Sequence, residues 1–293
     1  MNNSTPFFSI VIPTYNHAEF IGRCIESLLR QTYQNWEAII VNNFSEDNTI
    51  EVVEKFNDPR IRLINNANGG VIAVSRNKGL SLAKGNWICF LDSDDWWYPN
   101  KLEASLKYLD KYDLVYHNLD KNYSANKSNG KVYGRQLYGD ITKDLLVNGN
   151  GIPNSSVIVR KKIIDEIGFI SEDKNLIAVE DWDYWIRAAF VTNKFKFINQ
   201  SLGAYWIGEN ISVSEKQIIR EKNLFDKYKN LLNEDEIIKA QITKSLSAAR
   251  IYHKLGMFKK AKSEYQFSVA NDKIPIKLKS VVGIIACFLN LKI

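Results

Sequence analysis

Through the first two thirds of the chain, short apolar runs alternate with longer stretches whose apolar positions recur at helical spacing. Residues 8–12, 36–41, 60–64 and 87–91 read as strands, and the aromatic and aliphatic run at 87–91 has the character of a buried parallel strand. Between the first two, Phe20, Ile21, Cys24, Ile25, Leu28 and Leu29 line one face of a helix. Residues 49–56 and 69–83 give two more helices. Asn16, with Glu19 three residues on, suggests a capping box for the first helix. Pro99 stands where a proline opens a helix in its first turn. This alternation predicts an α/β architecture, a mostly parallel sheet with helices on both faces. Residues 118–138, rich in Asn, Ser, Gly and Tyr, read as a long loop or hairpin. A strand at 155–159, a helix at 181–190 and short strands at 195–198 and 203–206 follow.

From about Ser214 the pattern becomes helical and lysine-rich. Ala248, Ala249, Arg250, Ile251, Tyr252, Gly256 and residues 261–265 resemble a single tetratricopeptide-like helix pair; one copy forms no solenoid, so it reads as a packing hairpin. Residues 274–293 combine Lys277, Lys279 and Lys292, with Lys273 just before, and an apolar set, Val281, Val282, Ile284, Ile285, Phe288 and Leu289. Two readings stand for this stretch: a terminal helix docked on its own domain, or one lying in a membrane interface.

The strand at 87–91 ends in Asp92, Ser93, Asp94 and Asp95, at the carboxyl edge where open α/β sheets place ligands. Crowded carboxylates repel unless a cation or a hydrogen-bonding ligand balances them. An Asp-x-Asp pair suits a hard divalent ion that also holds phosphate oxygens. The competing reading is an acidic turn in which Asp95 or Asn100 caps the next helix.

Composition narrows this only a little. The 293 residues are 45% hydrophobic and 25% charged, which is ordinary for a globular chain with a real core. The net charge of +6 permits an anionic substrate, a membrane surface or nucleic acid without choosing among them. Cys24, Cys89 and Cys287 lack metal-ligand spacing and point to a reducing compartment. The first residues lack the blocks of a signal peptide, and no run reaches the roughly 18 apolar residues of a spanning helix. A cytoplasmic protein is expected, peripheral on the inner face of the cell membrane if the terminal helix binds lipid.

Taken together, residues 9–16 (Ser-Ile-Val-Ile-Pro-Thr-Tyr-Asn), 39–47 (Ile-Ile-Val-Asn-Asn-Phe-Ser-Glu-Asp), Arg76-Asn77, 91–95 (Leu-Asp-Ser-Asp-Asp) and 180–183 (Glu-Asp-Trp-Asp) resemble, in order and spacing, an inverting nucleotide-sugar glycosyltransferase of family 2 with the GT-A fold. The resemblance covers roughly residues 7–213. It implies a glycosyltransferase domain over 1–213, with a donor half to about 117 and an acceptor half from 118, and a helical region over 214–293.

The resemblance also implies roles. Pro13, Tyr15 and Asn16 flank the base and ribose, with Tyr15 alternatively a packing aromatic. Asn43 stands where the family usually has an Asp that reads the base. An amide accepts and donates, so the expectation of a UDP donor is weakened but stays first. Arg76 and Asn77 approach ribose or diphosphate, with a surface salt bridge as the other reading of Arg76. Asp92, Ser93 and Asp94 hold the donor, and Asp94, with Asp92, the metal, Mn2+ or Mg2+. Asp47 reads as a helix cap. Asp181 matches the base that takes the acceptor proton. Glu180 and Trp182 are expected at the acceptor, and of Trp182 and Trp185 one is expected in the core. Where relatives often have Tyr-Arg and then a His, residues 202–212 have Trp206 and no His, so no histidine contact carries over. His17, His117 and His253 read as structural.

The expected partners are a nucleotide-sugar donor, a glycan acceptor that is lipid-linked in the fullest version of this reading, and no nucleic acid. Surface polysaccharide synthesis, such as O-antigen or capsule, is the implied setting. Two alternatives compete. A nucleotidyltransferase would want a glycine-rich basic loop after the first strand, which Pro13-Thr14-Tyr15-Asn16 does not offer. A binding protein with a degraded donor site would explain Asn42-Asn43, but retention of Asp92, Asp94 and Asp181 argues against decay.

Overall fold

The computed structural model describes residues 7–124, 127–208 and 214–291. The amino-terminal residues read against a signal peptide, the end of the 202–212 segment and Lys292 lie outside the described residues. The chain divides into two compact units that interleave in sequence. The first comprises Met1–Leu137, Gly151–Glu172 and Arg187–Gly208; the second comprises Tyr138–Asn150, Asp173–Ile186 and Glu209–Ile293. Two inner segments thus group with the carboxyl-terminal helices.

The first unit opens with β1 (Phe8–Thr14), α1 (Ala18–Leu29), β2 (Trp36–Asn42), α2 (Thr49–Glu54), β3 (Ile61–Asn65), α3 (Ile72–Leu82) and β4 (Trp87–Phe90). Strands β3, β2, β1 and β4 lie side by side in parallel, with Ile10 opposite both Ala38 and Cys89. Alternation along β1 explains helices on both faces. Ile10 and Ile12 share a buried cluster with Ile21, Cys24, Ile25 and Leu28 of α1, while Val11 points the other way against Gly79 of α3. A Cβ at Gly79 would lie 2.5 Å from a Val11 methyl, so glycine sets how closely α3 approaches the sheet.

The sheet continues through β8 (Ile158–Arg160), followed in the chain by α6 (Lys161–Ile167), then β6 (Leu114–Ser124), β9 (Phe195–Trp206) and β5 (Trp96–Trp97), with β7 (Lys127–Val132) pairing β6. This half mixes directions: β6 and β9 are parallel, whereas β4–β8, β6–β8, β6–β7 and β5–β9 are antiparallel. The α/β class holds, with β3, β2, β1 and β4 forming its parallel half.

Several local expectations change. Helix α1 has no capping box: Asn16 sits in the left-handed region at φ 51°, and the carboxylate of Asp47, from the neighbouring loop, accepts the Ala18 amide at 3.0 Å. Helix α4 (Lys101–Leu109) begins after Asn100, so Pro99 lies before it and its carbonyl accepts the Thr32 amide instead. Residues 118–138 include the strand pair of β6 and β7, and residues 195–206 form one strand.

The second unit gathers α5 (Ile141–Asn148), the start of α7 (Glu180–Val191), α8 (Glu215–Tyr228), α9 (Glu234–Lys254), α10 (Phe258–Ser268) and α11 (Ile274–Phe288). A capping box does form at α9, between Asn233 and Glu236, and Glu236 also pairs with Lys143 of α5 at 3.0 Å. Leu246, Ala249, Ala261, Tyr265 and Cys287 make a small core joining α9, α10 and α11. No described helix is long and apolar enough to cross a membrane.

Candidate active site

In the first unit the functional side chains gather where β1, β2 and β4 end. The acidic turn after β4 is closed by the Asp95 amide donating to the Asp92 carbonyl at 3.0 Å. Arg76, buried on α3, donates to the Asp92 carboxylate at 2.7 Å. The surface salt bridge weighed for Arg76 is thus a buried one, and it places a guanidinium at the acidic turn. Asn154 donates to the same Asp92 oxygen at 3.4 Å, and the Asp92 amide donates to Ser155 at 3.1 Å. Ser93 shares a 2.7 Å hydrogen bond with His17.

Asp94 and Asp95 differ in environment. Asp95 is fully buried, and its carboxylate accepts the Trp206 amide at 2.9 Å, tying the turn to the end of β9 rather than capping α4. Burial first, and then the charges of Asp94 and Asp92, push Asp95 well above the usual carboxylate range. Asp94 is half-buried, and burial followed by the Asp92 charge raises it too. The Asp94 carbonyl accepts from Arg23, whose guanidinium lies 3.8 Å from the Trp96 ring centre and 4.7 Å from that of Trp206. This clamp was invisible in the sequence, because Arg23 meets the turn only through contacts between positions far apart in the chain.

The donor set at Asp94 fits a hard divalent ion. It supplies carboxylate oxygen, and both raised groups carry an energetic cost that nearby positive charge would relieve. No group of three or more metal-type side chains occurs among the described residues.

The loops after β1 and β2 are laced together. The Asn16 amide oxygen accepts the Glu46 N–H at 2.8 Å, and the Asn16 N–H donates to Ser45 at 2.9 Å. Asn42 is buried between Asn65 and Ser45. The Asn43 oxygen accepts the Asn68 N–H at 2.8 Å, which leaves its NH2 and one oxygen lone pair for a ligand. Tyr15 is 47% exposed at the end of β1, which removes the reading of a packed aromatic. Pro13 lies on β1 opposite Val41. Asn77 has protein partners of its own. Its amide donates to the Ile170 carbonyl and to Glu172 and accepts the Ile170 N–H, holding that loop against α3.

In the second unit, α7 begins with Glu180, Asp181 and Asp183 in its first turn, where the helix dipole favours negative charge. Asp181 is half-buried; its carboxylate accepts the Trp182 amide at 2.7 Å and the Asn150 side chain at 3.3 Å. Asp183 is fully buried and holds Lys227 at 2.6 Å and the Tyr228 hydroxyl at 2.8 Å, anchoring α8. Glu180 is buried. Trp182 and Trp185 are both buried, so both belong to the core and Trp182 offers no open stacking face.

Residues 9–168 match the family model described as "Glycosyl transferase family 2". A glucosyltransferase of Escherichia coli, UDP-Glc:alpha-D-GlcNAc-diphosphoundecaprenol beta-1,3-glucosyltransferase WfgD, is 31% identical over 67% of this chain and 79% of its own. The amylovoran biosynthesis glycosyltransferase AmsB of Erwinia amylovora is 32% identical over 68% and 69% of the two chains. Among solved structures, S. aureus TarS with UDP-GlcNAc superposes at TM-score 0.60 and 16% identity, covering 96% of this chain and 90% of that one. The mannosyltransferase PcManGT of Pyrobaculum calidifontis, with GDP-Man and Mn2+, superposes at 0.61 and 15% identity, covering 98% and 81%. At that identity the likeness shows a shared GT-A fold.

Proposed function

The chain belongs to glycosyl transferase family 2 and is an inverting glycosyltransferase, and on that premise we propose that it moves a sugar from a UDP-sugar to a lipid-linked glycan in surface polysaccharide synthesis, at the inner face of the cell membrane. The observation that carries the donor half is the crowding of Asp92, Asp94 and Asp95 beside Arg76. The names of the E. coli and Erwinia relatives support the donor, the lipid carrier and the setting.

Asp94, with the second oxygen of Asp92, would hold Mn2+ or Mg2+; the ion, when bound, offsets charge on the departing nucleoside diphosphate. Arg76 fixes Asp92 and brings its own positive charge to the same turn. Ser93, held by His17, keeps the turn in register. Tyr15, Asn16 and Asn43 frame the nucleoside, Asn43 donating through its NH2 to a carbonyl of the base. Asp181 accepts the proton of the attacking hydroxyl, and the α7 dipole keeps it ionised for that task. Glu180 and Trp182 act at the acceptor by supporting Asp181 from within the packed start of α7.

The test is thermal stability with UDP, GDP, dTDP or CDP, each with and without Mn2+ or Mg2+. A nucleotide at 100 times its Kd adds about 2.7 kcal/mol to the folded state. A metal-dependent rise with UDP is expected, abolished in Asp94→Asn and retained in Asp181→Asn, which loses sugar transfer. Transfer by Asp181→Asn at more than a few per cent of the native rate would remove the base assignment.

A further inference from the structure

Helix α11 is amphipathic in an inverted sense. Ser280, Gly283, Ala286 and Cys287 face inward, while Ile274, Leu278, Val281, Val282, Ile285, Phe288 and Leu289 are all exposed, from 42% to 70%. The inner face has a reason to be small. A Cβ on Gly283 would run into the ring of Tyr265, and Ser280 shares a 2.7 Å hydrogen bond with Ser268. Close packing on α10 therefore holds the helix in a fixed rotation. At about 100° per residue the outward apolar residues fall within one stripe roughly 120° wide, opposite the buried positions. Fifteen residues give the stripe a length of about 22 Å.

Within the helix itself the charges are of one sign, with Asp272 standing before Lys273. Lys277 and Lys279 flank its two edges and are exposed, and Lys273 precedes the helix. Lys262 of α10 places its ammonium 3.6 Å from the ring centre of Phe288. No Asp or Glu lies between Lys273 and Phe288. A two-fold pairing of this face with a second copy would set lysine edges against lysine edges with no carboxylate on the helix to meet them. An anionic headgroup layer meets both the edges and the apolar stripe.

We propose that the outer face of α11 is a surface for anionic phospholipid, lying in the plane of the membrane with Leu278, Val282, Ile285 and Leu289 below the headgroups and Lys277 and Lys279 at their level. This deepens the membrane side of the proposed function and rests on its placing the protein at a lipid surface.

The experiment is co-sedimentation of the full chain with phosphatidylcholine vesicles, with and without phosphatidylglycerol. The expected result is binding that needs phosphatidylglycerol and weakens with salt. Leu278→Glu/Ile285→Glu should lower it about tenfold or more, and Lys277→Ala/Lys279→Ala about fivefold per lysine. Both pairs are exposed, and circular dichroism together with the nucleotide-induced rise in Tm confirms that each variant folds. An intact nucleotide shift with lost vesicle binding tests this surface alone. Vesicle binding without any nucleotide shift would instead sink the donor-site reading and leave this one standing. Failure of the native chain to sediment with either vesicle overturns the proposal. So does equal binding by Leu278→Glu/Ile285→Glu, or equal binding to neutral vesicles. Self-association broken by those glutamates, without vesicle binding, would assign the face to a second copy and overturn it as well.

Discussion

Lys101 is fully buried at the start of α4, and its ammonium finds no hydrogen-bond partner among the described residues. The Trp97 ring gives it a favourable contact, 3.5 Å from ring centre to nitrogen. Burial lowers its pKa from 10.5 to about 8. Holding the charged form there costs the fold about 3 kcal/mol near neutral pH. Lys101→Met keeps the aliphatic stem, removes the charge and gives up a cation–π contact of about 1 kcal/mol. The net expectation is a gain of about 2 kcal/mol, a rise in Tm of about 5 °C.

The sign of the pH dependence follows from the same lowering. The folded state releases this proton near 8 and the unfolded state near 10.5, so native stability rises with pH across that window. The variant lacks the rise. Its advantage should be full at about pH 7 and vanish by about pH 10.5. The titratable groups that bear on Lys101 do not mimic this: burial pushes the Cys89 thiol up to about 11 and the His117 imidazole down to about 3. Urea titrations of both proteins at several pH values measure the difference, in which other groups cancel. A variant less stable than the native protein at neutral pH, or an advantage unchanged between about pH 7 and about pH 10, would refute the reasoning.

His117 is buried neutral, with Nδ1 against the Asn118 carbonyl at 2.7 Å. Its pKa falls from 6.5 to about 3, chiefly through burial. Stability should therefore drop as pH falls below about 6.5, by about 2 kcal/mol at pH 5, and His117→Gln should flatten that limb of the urea-stability profile. Asp183→Ala should cost about 2–3 kcal/mol by urea unfolding, since it empties a buried site and removes the acceptor shared by Lys227 and the Tyr228 hydroxyl; Asp183→Asn, which can still accept from Tyr228, should cost less. Asn43→Asp keeps an acceptor for the Asn68 amide and turns a second one toward the base. UDP binding by calorimetry should tighten about tenfold through the uracil N3–H, while CDP weakens.

The strands of the parallel half were legible because burial on both faces leaves an uninterrupted apolar run, and the acidic turn because carboxylates seldom crowd a strand end without cause. Where sequence reasoning went astray, it met residue types whose polar groups serve ligand and loop equally well. Asn16, Asn42, Asn43 and Asn77 all stand at strand ends or on the helix beside them, where a donor site would recruit them. Asn16 lends its side-chain oxygen and Asn42 its whole amide to neighbouring loops, Asn77 clamps residues 170–172, and the NH2 groups of Asn16 and Asn43 are the ones left uncommitted among the described residues. Asp47 shows the same ambiguity resolved through space, capping α1 from another loop while Asn16 takes the left-handed conformation that rules it out as the cap. Local pattern cannot separate these cases, because each is decided by a partner some 20 to 90 positions away. The divided grouping of the helical unit has the same origin. Lys143 meets Glu236 only after the chain has passed through the sheet, and nothing near either residue announces the other.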